Sequence, residues 1–208
     1  MSIPKLKQAT LRTPRPSRSE VRRRLIDAAA DVFAAKGYTA SSVDDVARQA
    51  GLTKGAVYSN FESKDDLFFA LLSEQVAARI ALVEALPASP EPAEEWLRSV
   101  GAALTRAMVE QPEWHLLFIE FWQRSIRDPE ARERFVPHRR KLHDLVSATI
   151  RGRAEELNLK LPVDPDRLAT AMIALSNGLA IEYLLDPESV PEDLFADVLT
   201  SMIDEQGR

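Results

Sequence analysis

The sequence predicts an all-α protein in two parts, a small N-terminal unit of three helices and a larger helical body. Three observations predict it. Apolar residues recur at three-and-four spacing, the period of one buried helix face. Cap signals punctuate those runs, with Ser42 and Ser63 each followed three positions later by an aspartate. No run of useful length alternates apolar with polar residues as a half-buried strand would.

The 208 residues are 45% hydrophobic, enough for one sizeable core and a satellite unit. There is no cysteine, which excludes disulfide scaffolding, thiolate metal sites and cysteine nucleophiles, and fits a reducing cytoplasm. The basic N-terminus lacks an apolar core of the signal-peptide kind, and no membrane association is expected. The nearest approach to a membrane span, 168–185, carries Asn177 and Glu182 and reads as a buried helix of a soluble protein.

The net charge of -5 conceals a split. Residues 1–60 hold 11 Lys and Arg against 5 Asp and Glu, a charge of +6, so the remainder of the 27 and 32, namely 16 and 27, leaves 61–208 at -11. A basic end on an acidic body implies a small surface for nucleic acid attached to something with another task.

Residues 1–18 contain three prolines, no acid and no helical period, and are expected to form a flexible basic arm. A helix follows from Ser19, with Val21, Leu25, Ala28, Ala29, Val32 and Phe33 on its buried face. Gly37 ends it, because glycine enters the left-handed region without steric penalty. Ser42 caps a second, short helix whose apolar face is Val43, Val46, Ala47 and Ala50. Gly51 breaks that helix, Leu52 plugs the core, and Thr53 caps a third running to Phe61. Two short helices joined by a glycine-containing turn make a helix-turn-helix. Ser63 opens a long helix toward Leu86, and the proline cluster at 87–92 connects it to the rest of the body. Further helices are expected over 93–110, 113–127, 129–157, 164–185 and 191–205, with Pro137 kinking or splitting the third of these.

The stretch GYTASSVDDVARQAGLTKGAVYSNFESKDDLFFALL, residues 37–72, closely resembles the N-terminal domain of the TetR family of bacterial regulators. The likeness rests on the Gly-Tyr after the first helix, Val43, Val46 and Ala47, the Ala50-Gly51 turn, Thr53-Lys54-Gly55, Tyr58, Phe61, Ser63-Lys64 and Leu67. It implies units at 1–18 (arm), 19–65 (DNA-binding head) and 66–208 (ligand-binding and dimerisation body). It also implies a homodimer through the last two helices, operator DNA as partner, a small, partly apolar effector and no cofactor. Where relatives often carry a histidine or a second aromatic, this chain has Ser59 and Asn60.

The physical reading runs beside the resemblance. A recognition helix must offer a major groove small or hydrogen-bonding side chains, and Thr53, Lys54, Gly55, Tyr58 and Ser59 fall on that side. Thr39, Ser41 and Ser42 stand at a helix N-terminus, where hydroxyls suit a phosphate, although capping also accounts for Ser42. Lys64 sits in a first turn that disfavours cations, so an external anion is expected to hold it. In the body, Trp96, Met108, Trp114, His115, Phe118, Phe121 and Trp122 gather in the helices that the resemblance assigns to an effector cavity, with Glu120, Arg124 and His138 as polar neighbours. Ala171, Ala174, Gly178 and Ala180 would let a partner helix approach closely.

Ligand-released repression is the function these observations imply, with an architectural or division-control protein on the same fold as the alternative. An apolar cavity in the body favours the first and a solid core the second. No metal site and no enzymatic activity are expected. There is no Glu-x-x-His pair, phosphate-binding glycine loop or nucleophile elbow, and His138 and His143 lie on different sides of a helix.

Overall fold

A computed structural model describes residues 16–86 and 93–204. Most of the expected arm and the proline cluster at 87–92 lie outside these residues. Nine α-helices succeed one another, with a single 3-10 turn at Pro187–Ser189 and no strand among the described residues.

The head is built from α1 (Arg18–Ala40), α2 (Val43–Gln49) and α3 (Lys54–Tyr58). Its first cap lies earlier than the periodicity implied. Ser17 accepts the N–H of Glu20 and Glu20 reaches back to the Ser17 N–H, so two of the free donors at the start of α1 are satisfied. Gly37 has φ 75° and ψ 168°, a region that essentially only glycine occupies, and the helix breaks there. Gly51 takes φ 64° in the turn between α2 and α3. The core of the head contains Leu25, Ala29, Phe33, Val46, Ala47, Val57 and Phe61, as the spacing predicted, and also Ile26, which it did not.

The body comprises α4 (Lys64–Glu84), α5 (Ala93–Val109), α6 (Pro112–Arg127), α7 (Pro129–Glu156), α8 (Pro165–Leu185) and α9 (Leu194–Asp204). Pro137 does not split α7. It lies on the exposed side, as does Glu133 four residues earlier, so water can bond the carbonyl that lacks an N–H. The apolar cluster of the head continues without a break into Leu67, Phe68, Phe69 and Leu72 of α4 and Trp114, Leu117, Phe118 and Phe121 of α6. Head and body therefore share one core. Helices α5 and α9 pack so closely that a Cβ on Gly101 would stand 2.4 Å from the Cα of Ala196.

The expectation that 168–185 is buried is corrected. In α8 only Leu168, Ala169 and Ala180 are buried, although the helix is predominantly apolar. Its periodicity is weak because small apolar residues, Ala171, Ala174 and Gly178, also occupy the face left uncovered within the chain.

Candidate DNA interface and effector cavity

The recognition helix is held by its own cap and by the core. Thr53 Oγ1 accepts the Ala56 N–H at 3.2 Å, and Val57 anchors the inner side with 1% exposure. On the outer side Lys54, Gly55, Tyr58 and Ser59 are all exposed, with the Tyr58 ring half open to solvent. Gly55 meets nothing but the Thr53 hydroxyl, so the backbone there is free to approach a groove. Ser59 donates its hydroxyl to the Ala56 carbonyl at 2.9 Å and accepts from the Asn60 side-chain amide at 3.4 Å. Lys54 pairs with Asp44 at 3.0 Å, both side chains being exposed, and that hydrogen bond holds its pKa above the usual lysine range. A phosphate would have to replace Asp44 as its partner.

The other expected DNA contacts separate into two groups. Thr39, in the last turn of α1, and Ser42, the cap of α2, are exposed. Ser42 is engaged in a full capping box, accepting from the Asp45 N–H at 3.1 Å and donating to the Asp45 carboxylate at 2.7 Å. Hydrogen bonds from Lys36, above all, and Ser42 hold the Asp45 carboxyl well below the ordinary carboxylate range. Ser41 is buried and donates its hydroxyl to the Tyr38 carbonyl at 2.8 Å.

Lys64 also turns inward. Its ammonium donates to the carbonyls of Tyr38 at 2.5 Å and Ser41 at 2.8 Å, and lies 4.2 Å from the centre of the Tyr38 ring. These carbonyls at the end of α1 supply the negative partners for which an external anion was invoked. Burial, then the nearby Arg124, lowers its pKa.

Cations that the sequence did not single out flank α3. Arg18 donates toward the Ser59 carbonyl at 3.4 Å and the Arg22 guanidinium lies 4.5 Å over the Phe61 ring, both side chains being exposed. The available signal was their place in the basic opening of α1, three to four residues apart on one face.

A cavity of about 200 Å³ lies in the body, walled by α4 to α9. Of the expected ligand contacts, Trp96, Trp114, His115 and Phe118 line it. Phe121, Met108 and Trp122 do not. Phe121 is fully buried against the Phe68 ring, 4.1 Å centre to centre, and belongs to the core shared with the head. Met108 packs on Ala180 and Val190 in a separate cluster, and Trp122 faces a small hollow beside His115 and Ile119. The cavity also receives Arg79, Arg139, Arg153 and Asn177. Their sequence signal was a polar residue within an otherwise apolar face, as with Arg79 between Val76 and Val83.

Glu120, Arg124 and His138 are elsewhere. His138 stacks on Phe69 at 3.9 Å. Glu120 accepts the N–H groups of Tyr38 and Thr39, each at 2.7 Å, immediately after the break at Gly37. Burial alone would raise its pKa, but the hydrogen bonds from Thr39 and Tyr38 and the charge of Lys64 outweigh burial and hold it low. Arg124 bonds the Tyr38 hydroxyl and the buried Asp65 carboxylate, each at 3.2 Å, and Tyr38 donates its hydroxyl to Asp65. One helix, α6, thus touches the cavity through Trp114, His115 and Phe118 and the head through Glu120 and Arg124.

Comparison with known proteins agrees with this layout. Residues 25–71 match the model of bacterial regulatory proteins of the tetR family, and residues 93–208 match that of the BetI-type transcriptional repressor C-terminal domain. The regulator SrpR of Pseudomonas putida is 45% identical over 56 residues, 27% of this chain and 26% of SrpR, so that likeness spans about a quarter of either protein. The repressor AcnR of Corynebacterium diphtheriae is 28% identical over 157 residues, 76% of this chain and 77% of AcnR. The structure of the regulator FadR from Bacillus subtilis in complex with stearoyl-CoA shares the fold, with a TM-score of 0.66 at 18% identity over 88% of this chain and 97% of that one. With more than half of its length matched by the C-terminal model and its head by the N-terminal one, this chain belongs to the TetR family of transcriptional regulators.

Proposed function

We propose that the protein is a homodimeric repressor whose grip on operator DNA is released when a small molecule fills the cavity of the body. The observation that carries this reading is the double attachment of α6, whose Trp114, His115 and Phe118 border the cavity while Glu120 clamps the backbone of the head at Tyr38 and Thr39. A ligand that moves α6 or α4 changes the position of α3 through these bonds and through the shared core. The cavity favours this function over the architectural alternative, which has no need of one.

Two heads are required because a single five-residue recognition helix makes few contacts. Paired heads spaced by about 34–36 Å read successive major grooves. The uncovered apolar face of α8 supports the pairing. Ala171, Ala174 and Gly178 lie exposed on it, and a Cβ on Gly178 would meet nothing within 4 Å, so a partner helix has room to approach. Ala180, the fourth small residue of the stripe, is buried within the chain.

The test begins with genomic fragments retained by the purified protein and compounds related to the neighbouring genes. A compound that releases the fragment must, by linkage, bind more weakly when operator is present, by the same factor. Equal ligand affinity with and without operator would refute the coupling. A Lys54→Ala/Tyr58→Ala variant that stays folded and keeps full selective binding would refute the reading head.

A further inference from the structure

The cavity has an unusual polar inventory. Arg79 Nη2 from α4, Trp96 Nε1 from α5, His115 Nε2 from α6, Arg139 Nη1 from α7 and Asn177 Nδ2 from α8 are all buried and without a hydrogen-bond partner. All five residues border this one cavity. Four of the five atoms are obligate donors, and the fifth is a histidine nitrogen that can donate. Among the described residues, no Asp or Glu lines the cavity. Arg153 on the same wall is already served, by Glu156 at 2.8 Å and the Glu84 carbonyl at 2.6 Å, and that makes the state of Arg79 and Arg139 a feature of the cavity rather than of arginine in general.

Two guanidiniums held in a low-dielectric site without a counter-charge are costly, and water can bond them but cannot neutralise them. Burial accordingly lowers the pKa of both. His115 adds no further charge, because burial and Arg79 push its pKa down to about 4 and leave it neutral near pH 7. Apart from Arg153, Thr149 and Ser176, the rest of the wall is apolar, formed by side chains such as Val100, Leu142, Met172 and Phe195. At about 200 Å³ the space exceeds the engineered cavity of about 150 Å³ that admits benzene in another protein.

We propose that the ligand is an organic anion, a single carboxylate or phosphate-type head on an apolar body, with the head met by Arg79 and Arg139 and assisted by Asn177 and the Trp96 indole. This assignment rests on reading the cavity as the effector site and names the chemical class of the effector. A quaternary ammonium or other cation is disfavoured by the same two arginines.

Calorimetric titration of the full-length protein near pH 7 tests it with matched probes below their micelle-forming concentrations: decanoate, decyl phosphate, decanol and decyltrimethylammonium, and 2-naphthoate against 2-naphthylmethanol. At least one anion is expected to bind ten-fold or more tighter than its uncharged partner, and whichever of decanoate and decyl phosphate binds better identifies the head. The preference should vanish in Arg79→Met/Arg139→Met and persist in Arg79→Lys/Arg139→Lys, which retains the charge if the methionine pair does not fold. Equal affinity for acid and alcohol, or tighter binding of the ammonium, overturns the anion while leaving an effector cavity. Absence of binding by every probe, with operator held unchanged in their presence, overturns the effector reading as well.

Discussion

Glu120 of α6 accepts a hydrogen bond from the Tyr38 backbone at 2.7 Å, across 82 positions of sequence. The same carboxylate oxygen would stand 2.8 Å from a Cβ on Gly37. The carboxylate can therefore reach the chain only because residue 37 has no side chain, and the break in α1 and the clamp on the head form a single device.

Gly37→Ala should cost about 1–3 kcal/mol, since alanine is strained at that φ and ψ and also presses on Glu120. Glu120→Ala should cost about 1.5–3 kcal/mol through loss of two charge-assisted bonds. In the double variant the costs should sum to less than the two singles, because the clash is counted in only one of them. Urea unfolding of the four proteins measures this.

Lys54→Ala and Lys64→Ala should part company. Removing Lys54, exposed on α3, should leave the unfolding midpoint almost unchanged and reduce the slope of log affinity against log salt by about 1. Removing Lys64 strips two carbonyls of their donor and should lower stability by about 1–2 kcal/mol. Operator titration across a salt series, with urea melts of the same samples, separates the two.

Acid should weaken the fold through His115. Its folded pKa of about 4 lies below the ordinary value of 6.5, so between these pH values the unfolded chain binds the proton and the native chain does not. Its contribution is neutral above pH 6.5 and becomes unfavourable as pH falls toward 4, reaching on the order of 2 kcal/mol. His115→Leu should flatten the stability loss between pH 7 and pH 4.5 relative to the parent.

Gly101→Ala should force α5 and α9 apart. The new methyl would lie 2.4 Å from the Ala196 Cα, a backbone atom with no rotamer to yield, and the expected cost is about 1–3 kcal/mol. A lowered thermal midpoint checks it, and no rescue is expected from Ala196→Gly, which leaves that Cα in place.

The head was legible because its determinants are local. Ser42, Thr53 and Ser63 cap helices through residues three positions away, and the left-handed Gly37 and Gly51 interrupt them where the apolar period stops. The carbonyl partners of Lys64 were not legible because they lie 26 and 23 residues upstream, at a helix end whose direction only the break at Gly37 sets. In the body, composition identified an aromatic gathering but not its use. Small rotations about α6 separate Phe121, which meets only the core, from Trp114, His115 and Phe118, which reach the cavity, and tertiary packing alone decides between them. Arg79 and Arg139 escaped notice because long cations on helices usually reach water, whereas here a buried nitrogen of each guanidinium faces a cavity.

The near-contact of Gly101 with Ala196 has a mechanical outcome. Two helices so close resist sliding or parting separately, so α5 and α9 are expected to move as one plate. That plate forms a wall of the cavity through Trp96 and Val100 on one helix and Phe195 and Leu199 on the other. A guest too large for the space would tilt the whole plate instead of indenting it, and the carboxyl-terminal helix would register the size of whatever is enclosed.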